Sequence, residues 1–373
     1  MKTLIKVENG DTISAIRGFL KSFLEAGIVD ALFVPLETDR GGIVPSLVTN
    51  PGFLERANPL APVMPINSAR AVSVLTGKHP ASRLGVVLRP CEIRALIELV
   101  KLQQASMDGV TVIGLDCPGT YEVTEYVTRK RAGNFDSAGY LSSVQQGQEP
   151  ALEGLEFRQA CKMCINPVSP NVSVSLHLFG ADLSSGIPVE LEDELAIKLG
   201  VTASAFESKQ HDAIVDKVVA AHRQIREKDL LAIRAQMNSN GGIASLFDDC
   251  IRCHNCMTAC PICYCKTCLF KTTTFDHEPD HYFNAARRKG AVRMLGDTLL
   301  FHMTRMNHMS ASCVSCGMCT SACPSDIPVG AIFSAVGEQV QAAFEYIPGR
   351  DLAETLPLIT FQPNEWTEVG EAK

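Results

Sequence analysis

The sequence predicts two unlike parts, an α/β amino-terminal domain and a mainly α-helical carboxyl-terminal domain. In the first half, short apolar runs of strand length alternate with helical patterns, which is typical of a mostly parallel sheet covered by helices on both faces. In the second half, long helical patterns accompany most of the fifteen cysteines. At 373 residues the chain is long enough for two or three domains with buried cores.

The first predicted helix is amphipathic. Residues 11–26 place apolar side chains on one helical stripe, with Asp11 or Thr12 as N-cap and Gly27 as the stop. Residues 31–36 follow as a short buried strand. We therefore expect this helix to pack on the sheet.

Two more strands are predicted, at residues 83–88 and 110–115, and a helix that ends near Gln104 lies between them. Ligands of such sheets bind at the carboxyl ends of the parallel strands. Cys91 and Cys117 lie just after these two strands, so both are candidates for a site at that edge.

The remaining segments set the expected domain limits. Residues 134–154 are rich in Gly, Ser and Gln and predict a hairpin or loop. Residues 204–237 predict a long helix that ends at a Gly/Asn-rich break, and residues 281–307 predict a second one. Residues at core spacing in that second helix are Phe283, Leu295, Leu299, Met303 and Met306. The expected parts are 1–203, a helical connector 204–242, a cysteine-rich helical domain 243–340 and a tail 341–373.

Composition excludes some classes of function. A net charge of -7 leaves no basic surface for nucleic acid. No apolar run approaches the length of a membrane span, so any membrane association would go through a partner. The amino terminus has no apolar signal segment and the cysteine count is odd, which favours a reducing cytoplasm over a secreted disulfide scaffold.

Two runs of four cysteines dominate the carboxyl-terminal half. Each has the spacing C-x2-C-x2-C-x3-C and closes on proline, as in bacterial ferredoxins, where three close cysteines hold one [4Fe–4S] cluster and the fourth reaches the other cluster. The predicted ligands of one cluster, set A, are Cys250, Cys253, Cys256 and Cys323. Those of the other, set B, are Cys260, Cys313, Cys316 and Cys319. A pair of zinc knuckles is the alternative, although zinc usually takes two C-x2-C pairs.

Seven cysteines remain. Four of them, set C, lie in the amino-terminal half and supply the thiolates for a third cluster, or else include small buried side chains without a ligand: Cys91, Cys117, Cys161 and Cys164. The other three, the cysteine trio, directly follow the first motif and could bind a further cluster or zinc, replace Cys260 or stay free: Cys263, Cys265 and Cys268.

Several segments together resemble the beta subunit family of coenzyme F420 hydrogenases and formate dehydrogenases. They are residues 89–96 (RPCEIRAL), residues 113–120 (IGLDCPGT) and the Cys161/Cys164 pair, in the family's order. Residues 313–319 (CVSCGMC) and 346–350 (YIPGR) resemble its formate dehydrogenase branch. The resemblance covers about residue 60 to about residue 365.

The resemblance implies an FAD in the α/β domain, a cluster at set C beside it, and a ferredoxin-like dicluster domain that connects the flavin to a separate catalytic subunit. It implies that residues 67–70, 89–94 and 114–121 form the walls of the flavin site. A helix start at residue 67 or 68 and the charge of Arg70 would suit a pyrophosphate. The candidate flavin residues are Asn67, Ser68, Arg70, Arg89, Arg94, Gly119 and Tyr121.

The sequence therefore predicts an electron-transfer subunit that exchanges hydride with a soluble carrier, of deazaflavin type or similar, and single electrons with a partner. A flavin-free iron–sulfur wire between larger subunits is the alternative. Several histidines near the motifs would tune a cluster through hydrogen bonds or would be ordinary surface and core residues: His254, His277, His281, His302 and His308.

Overall fold

The computed structural model describes residues 1–77, 82–150, 154–170, 172–204, 206, 208–294, 296–357 and 359. The strands in this part of the chain are β1 (Lys2–Lys6), β2 (Ala31–Glu37), β3 (Ile43–Val48), β4 (Leu84–Leu88), β5 (Val110–Leu115), β6 (Val174–Leu176) and β7 (Gly186–Leu191). The helices of the sheet region are α1 (Thr12–Glu25), α2 (Ala69–Thr76), α3 (Pro90–Lys101), α4 (Val123–Arg131), α5 (Ser137–Gln145), α6 (Gln159–Lys162) and α7 (Asp193–Leu199). The later helices are α8 (Ser208–Met237), α9 (Gly242–Ser245), α10 (Asn255–Ala259), α11 (Pro279–Lys289), α12 (Thr298–Met309), α13 (Met318–Ser321) and α14 (Val329–Ala343). Short 3-10 helices are Pro51–Arg56, Leu269–Lys271 and Thr273–Phe275.

The strands form one mixed sheet in the order β1-β7-β6-β5-β4-β2-β3. Its centre, β2, β4, β5 and β6, is parallel, whereas β1, β3 and β7 run antiparallel to their neighbours. The expectation of a mostly parallel sheet is therefore right only for the centre. The β2–β3 and β6–β7 connections are shorter than the dozen or so residues that a parallel crossover needs.

Both faces of the sheet are covered, as expected. Along β2, Leu32 and Val34 pack into the core on the α1 side, whereas Ala31 and Phe33 pack into the core shared with α2, α3 and the cysteine-rich region. Alternating side chains of a strand point to opposite faces, so one strand supports both cores. The cysteine-rich region therefore packs directly on one face of the sheet.

The first helix was predicted correctly in detail. Asp11 is its N-cap, and its Oδ1 accepts a hydrogen bond from the Ser14 backbone N–H at 3.0 Å. Gly27, just past the end, has a φ of +60°. In helix α3, the Glu92 carboxylate caps the first turn by accepting a hydrogen bond from the Arg89 backbone N–H at 2.9 Å.

Two segment predictions are wrong. Residues 134–154 include the helix α5, because the Asp136 carboxylate caps its first turn and Tyr140 and Val144 are buried, which outweighs the loop-like composition. Residues 281–307 hold two helices, since α11 ends at Gly290 with a φ of +81°. Of the expected core residues there, Phe283 and Leu299 are 60% and 39% exposed. Met306 is buried, Met303 is half-buried and Leu295 lies outside the described residues.

Helix α8, which the sequence predicted, joins the sheet to the cysteine-rich region. Its Arg226 and Arg234 both donate to the Glu338 carboxylate of α14, at 3.0 and 2.5 Å. Beyond α14 the chain returns to α3, where Glu98 accepts hydrogen bonds from the Tyr346 hydroxyl and the Gly349 backbone N–H, at 2.5 and 2.7 Å. Among the described residues there is no helix with the length and apolar character of a membrane span.

Candidate metal centres

The cysteines of set A converge although they come from both motifs. Burial raises the pKa of the Cys250 thiol, and the charges of Cys323 and Cys253 raise it further. Burial likewise raises the pKa of Cys256, where Cys250, Cys253 and Cys323 add to the rise. Such mutual effects require short separations, so the fourth cysteine of the second motif reaches the first.

Set B also combines cysteines of both motifs, with three from the second motif and one, Cys260, from the first. Burial raises the pKa of Cys260 to about 12, and neighbouring Cys316 and Cys313 contribute. Burial also raises the pKa of Cys319, with Cys260 as the first of the cysteines that add to it. The short helix α10 leads from the set A cysteines of the first motif to Cys260. Helix α13 lies between Cys316 and Cys323, the last cysteine of the second motif. These neighbour relations support the pairing predicted from spacing, which stays a prediction.

Set C assembles at the carboxyl edge of the parallel strands. Cys91 lies in the first turn of α3 after β4, and Cys117 follows β5. Cys161 lies in α6, and Cys164 lies two residues beyond the end of that helix. Burial raises the pKa of Cys164 to about 11, and Cys161 and Cys117 add to the rise. For Cys91, burial again dominates, and its cysteine neighbours include Cys117 and Cys164.

Sets B and C are in direct contact. Cys316 of set B is among the charges that raise the pKa of Cys91. A Cβ built on Gly317 would lie 2.2 Å from the Cβ of Ala160, the residue before Cys161. Glycine is required there because the backbone has a φ of +73° and the two ligand loops touch. This contact places the two thiol sets side by side.

The thiol surroundings fit iron–sulfur clusters. Sulfur atoms accept N–H groups, as the cysteine sulfurs that ligate clusters do: the Thr120 backbone N–H lies 3.3 Å from the Cys161 sulfur, and the Arg252 backbone N–H lies 3.3 Å from the Cys250 sulfur. Buried thiols with raised pKa stay protonated in the free state. Coordination to iron is what would hold them as thiolates.

Sulfur spacing disfavours zinc. Four thiolates about 2.3 Å from one zinc ion stand within about 4 Å of one another. In the described part of the chain, three ligand atoms lie within 4.8 Å of one another in the group Asp116, His177 and His211. This group contains no cysteine. The wider separation in sets A, B and C suits a cluster, in which each thiolate binds a different iron atom.

The cysteine trio lies beside set B. Burial raises the pKa of Cys263, and Cys265 and Cys268 contribute to the rise. Cys263 in turn raises the pKa of Cys260. The Cys268 sulfur lies 3.8 Å from the Met257 sulfur, and Cys265 is exposed. The three cysteines of the trio therefore lie near one another, and Cys265 is exposed to solvent.

Sequence reasoning missed Arg305. It is 4% exposed on α12, and its Nη1 lies 3.1 Å from the Cys256 sulfur. Its charge also lowers the pKa of Cys260 and Cys319, both of which burial raises. One guanidinium thus faces sets A and B together. An arginine within the apolar stripe of α12 was the signal that should have drawn attention.

His302, one turn before Arg305, is the histidine that meets a predicted ligand. Its Nε2 lies 3.3 Å from the Cys250 sulfur, and its ring stacks on Phe247 at a centroid distance of 3.8 Å. Burial, followed by the Arg305 charge, lowers the pKa of His302 to about 3. The neutral ring can donate its Nε2–H to the Cys250 thiolate.

The predicted flavin residues of α2 are spread over different contacts. Asn67 is buried beside set B, where its amide lowers the pKa of Cys316 against the rise due to burial. In the described part of the chain its Nδ2 has no hydrogen-bond partner. The Ser68 backbone N–H donates to Glu92 at 2.8 Å. Arg70 reaches across to the cysteine-rich region, where its Nη1 donates to the Thr258 carbonyl at 2.6 Å.

The other four flavin candidates lie nearer set C. Arg89 is buried with its Nη1 3.4 Å from the Cys117 sulfur, and Arg94 donates to the Pro348 carbonyl at 2.8 Å. Gly119 has a φ of +140°, and a Cβ there would lie 2.6 Å from the Phe157 ring. Tyr121 packs on the same ring, at a centroid distance of 4.8 Å. Their use as flavin contacts stays a prediction.

A cavity of about 430 Å³ opens between α2 and the cysteine-rich region. Its walls include Asn67 and Arg70, and also Ala259 and Met318, which adjoin the set B ligands Cys260 and Cys319. A wider groove of about 660 Å³ shares Val123 and Thr124 with it and carries Arg40 and Arg131. Cavities of this size bind small molecules.

Comparisons with known proteins agree with this arrangement. The 4Fe-4S dicluster domain family matches residues 246–327. A curated relative from Methanocaldococcus jannaschii, "F420-dependent formate dehydrogenase subunit beta", is 25% identical over 93% of this chain and 94% of its own length. A second, from Methanococcus maripaludis, "F420-dependent formate dehydrogenase 1 subunit beta", is 24% identical over 92% of both chains.

A solved structure is also similar. It is a chain of the F420-reducing [NiFe] hydrogenase complex from Methanosarcina barkeri, with 12% sequence identity, a TM-score of 0.44, and coverage of 62% of this chain and 92% of that one. A likeness this distant supports no conclusion by itself. The curated relatives and the dicluster match confirm the resemblance found in the sequence.

Proposed function

This chain is a relative of the beta subunits of F420-dependent formate dehydrogenases, and from that premise we propose that it connects a flavin to a partner catalytic subunit. FAD exchanges hydride with a soluble carrier, and [4Fe–4S] clusters at sets C, B and A carry single electrons to or from the partner. The partner is a formate dehydrogenase, a hydrogenase or a heterodisulfide-reductase-like complex.

The observation that carries this proposal is the contact between the set B and set C loops at Gly317 and Ala160. Electrons tunnel between centres only when the centres are close. Set A adjoins set B, since Arg305 touches Cys256 and influences Cys260. The three sets thus form a continuous route from the sheet edge to the far side of the dicluster domain.

We assign the flavin ring to the cavity between α2 and the dicluster domain. Its volume of about 430 Å³ is in the range of small-molecule sites. Asn67 lines the cavity next to Cys316, and Arg70 supplies positive charge for a pyrophosphate. Ser68, Arg89, Arg94, Gly119 and Tyr121 would then shape the surroundings and hold set C.

When bound there, FAD supplies the conversion between a two-electron hydride transfer and single-electron steps. The protein's residues orient it and hold the neighbouring centre. Met318 lines the cavity and lies between Cys316 and Cys319, so the cavity wall is also a ligand loop of set B.

We assign the soluble carrier to the adjoining groove. The groove is open to solvent, shares Val123 and Thr124 with the flavin cavity and carries Arg40 and Arg131. These cations favour an anionic carrier, such as a deazaflavin-type cofactor.

The proposed parts follow the fold. Residues 1–203 hold FAD and set C, 204–242 form the connector, 243–340 the dicluster domain and 341–373 the tail. We propose that the cysteine trio, with Cys265 exposed beside set B, holds a further metal centre at the partner's side. The fifteen free thiols fit a reducing compartment, which we take to be the cytoplasm.

Replacing Cys319 by Ala tests the relay. The variant should lose the set B cluster and stop electron transfer from carrier to partner, while flavin stays bound. The measurements are flavin content, the EPR signals of the reduced clusters, and carrier-dependent reduction of a partner or dye. A Cys319→Ala chain that transfers electrons at the wild-type rate would refute the ligand assignment.

A flavin-free wire is the second candidate, because one observation favours it. Arg89 and Arg94, which were predicted to face a flavin, are engaged by Cys117 and the Pro348 carbonyl. If the anaerobically purified chain contains clusters and no FAD, the wire is correct and the flavin assignment fails.

A further inference from the structure

Three metal-ligand side chains converge away from all the cysteine sets. Asp116 follows β5, His177 follows β6, and His211 lies in the first turn of α8. The His177 Nδ1 and His211 Nε2 atoms are 3.3 Å apart, and His211 Nε2 lies 2.9 Å from Asp116 Oδ2. Two atoms bound about 2.1 Å from a tetrahedral zinc ion stand about 3.4 Å apart, so the spacing suits such an ion.

The outer nitrogen of each imidazole faces a second carboxylate. His211 Nδ1 lies 3.1 Å from Asp212, and His177 Nε2 lies 3.8 Å from Glu190. For His211, the hydrogen-bonded Asp212 carboxylate can hold the ring proton on Nδ1, which turns the Nε2 lone pair inward. Metal-binding histidines are oriented in this way.

The inner atoms of the group then repel one another. Two nitrogen lone pairs and a carboxylate meet in a half-buried space, and Asp116 itself is 2% exposed. The backbone N–H groups of Leu178 and Phe179 fix Asp116 Oδ2, at 2.8 and 3.3 Å. A cation bound between the three atoms relieves this repulsion, as would a ring proton on His211 Nε2 or His177 Nδ1. The His177 and His211 side chains retain 16% and 13% exposure, so an ion can enter from solvent.

We propose that Asp116, His177 and His211 bind a divalent transition metal of the zinc class. Two imidazoles and one carboxylate are a donor set that such ions accept, with a remaining position for water. The site ties the start of α8 to the ends of β5 and β6. Helix α8 also reaches α14 through Arg226 and Arg234, so the metal fixes the helix that joins the sheet to the dicluster domain.

Zinc binding to the cluster-loaded full chain tests the site. A chromophoric chelator competes for added zinc(II), and zinc K-edge EXAFS identifies the ligands. We expect the wild type to bind one zinc more than the His177→Ala/His211→Ala variant, and His211→Gln alone to weaken that zinc by about 100-fold. The zinc shell should contain nitrogen and oxygen near 2.0 Å, without sulfur near 2.3 Å.

His308→Ala is the matched control, because His308 is an exposed histidine away from the group. Equal zinc stoichiometry and affinity in wild type and double variant would overturn the proposal. So would sulfur in the shell of the zinc that the double variant loses. Loss of that zinc in a His277→Ala/His281→Ala chain would also overturn it, because the ion would then lie on this pair of stacked histidines. If the double variant does not fold, the ligand shell of the wild type decides. None of these outcomes depends on flavin or on electron transfer.

Discussion

Arg305 is the residue whose environment most directly connects structure to redox chemistry. Its guanidinium is buried over the rings of Phe301 and Phe333 and faces thiols of two predicted clusters. A buried arginine stays charged, and its positive charge favours the more negative, reduced state of a nearby cluster. We therefore expect Arg305 to raise the reduction potentials of clusters at both set A and set B.

Replacing Arg305 by Gln should lower both cluster potentials, by on the order of 50 mV, which corresponds to about 1 kcal/mol for a one-electron centre. An EPR-monitored redox titration measures this. Arg305→Lys, which keeps the charge, should shift the potentials less. Arg287→Gln, an exposed arginine on α11, should leave them unchanged. Unaltered potentials in Arg305→Gln would show that the arginine serves packing alone.

At the scale of elements, the loop that carries Gly317 touches α6 so closely that no side chain fits. Gly317→Ala would force its Cβ into Ala160 and separate the two ligand loops. We expect a lower melting temperature and slower electron transfer between the clusters at sets C and B, measured by freeze-quench EPR after flash reduction.

The double variant Gly317→Ala/Ala160→Gly provides the control. It removes the clashing Cβ and leaves only the cost of alanine at positive φ, about 1 kcal/mol. It should recover most of the transfer rate. A double variant as slow as Gly317→Ala would mean that backbone strain, and not contact between the loops, limits the rate.

Glu338 is the point at which α8 and α14 are joined. Replacing it by Gln removes the charge that Arg226 and Arg234 share. Because Glu338 is 40% exposed, solvent screening keeps the expected loss to about 1 kcal/mol. Differential scanning calorimetry should show a melting temperature a few degrees lower. The variant Glu227→Gln, on the same helix α8, should melt like the wild type, and an equal fall in both would refute the role of the pair.

The sequence predicted the elements that have strong local signals. Asp11 and Gly27 delimit α1 as expected. The pairing of Cys323 with the first motif and of Cys260 with the second stays a prediction from cysteine spacing. Sequence reasoning failed where distant packing decides: α5 forms because Tyr140 and Val144 find a core, and β3 is antiparallel because its connection is short. Arg305 had only the weak signal of a charge within the apolar stripe of α12, and the Asp116 group had none, since its members come together only in the folded chain.

For the whole molecule, the cysteine-rich region and the sheet act together. The dicluster domain packs on one sheet face, set C lies at the carboxyl edge of the same sheet, and the tail returns to α3. Removing the sheet-edge centre should therefore spare the dicluster domain. Cys117→Ala should lose about four irons while the EPR signals of sets A and B persist. Loss of all clusters in that variant would mean that set C organises the entire fold.

We propose that a single chain holds a flavin and three clusters. Iron and flavin content, measured on a single anaerobic preparation of the full chain, tests it most directly. We expect about twelve irons, four for each of sets A, B and C, with one FAD and any further iron at the cysteine trio. About eight irons without flavin would contradict the claim and leave an iron–sulfur wire in its place.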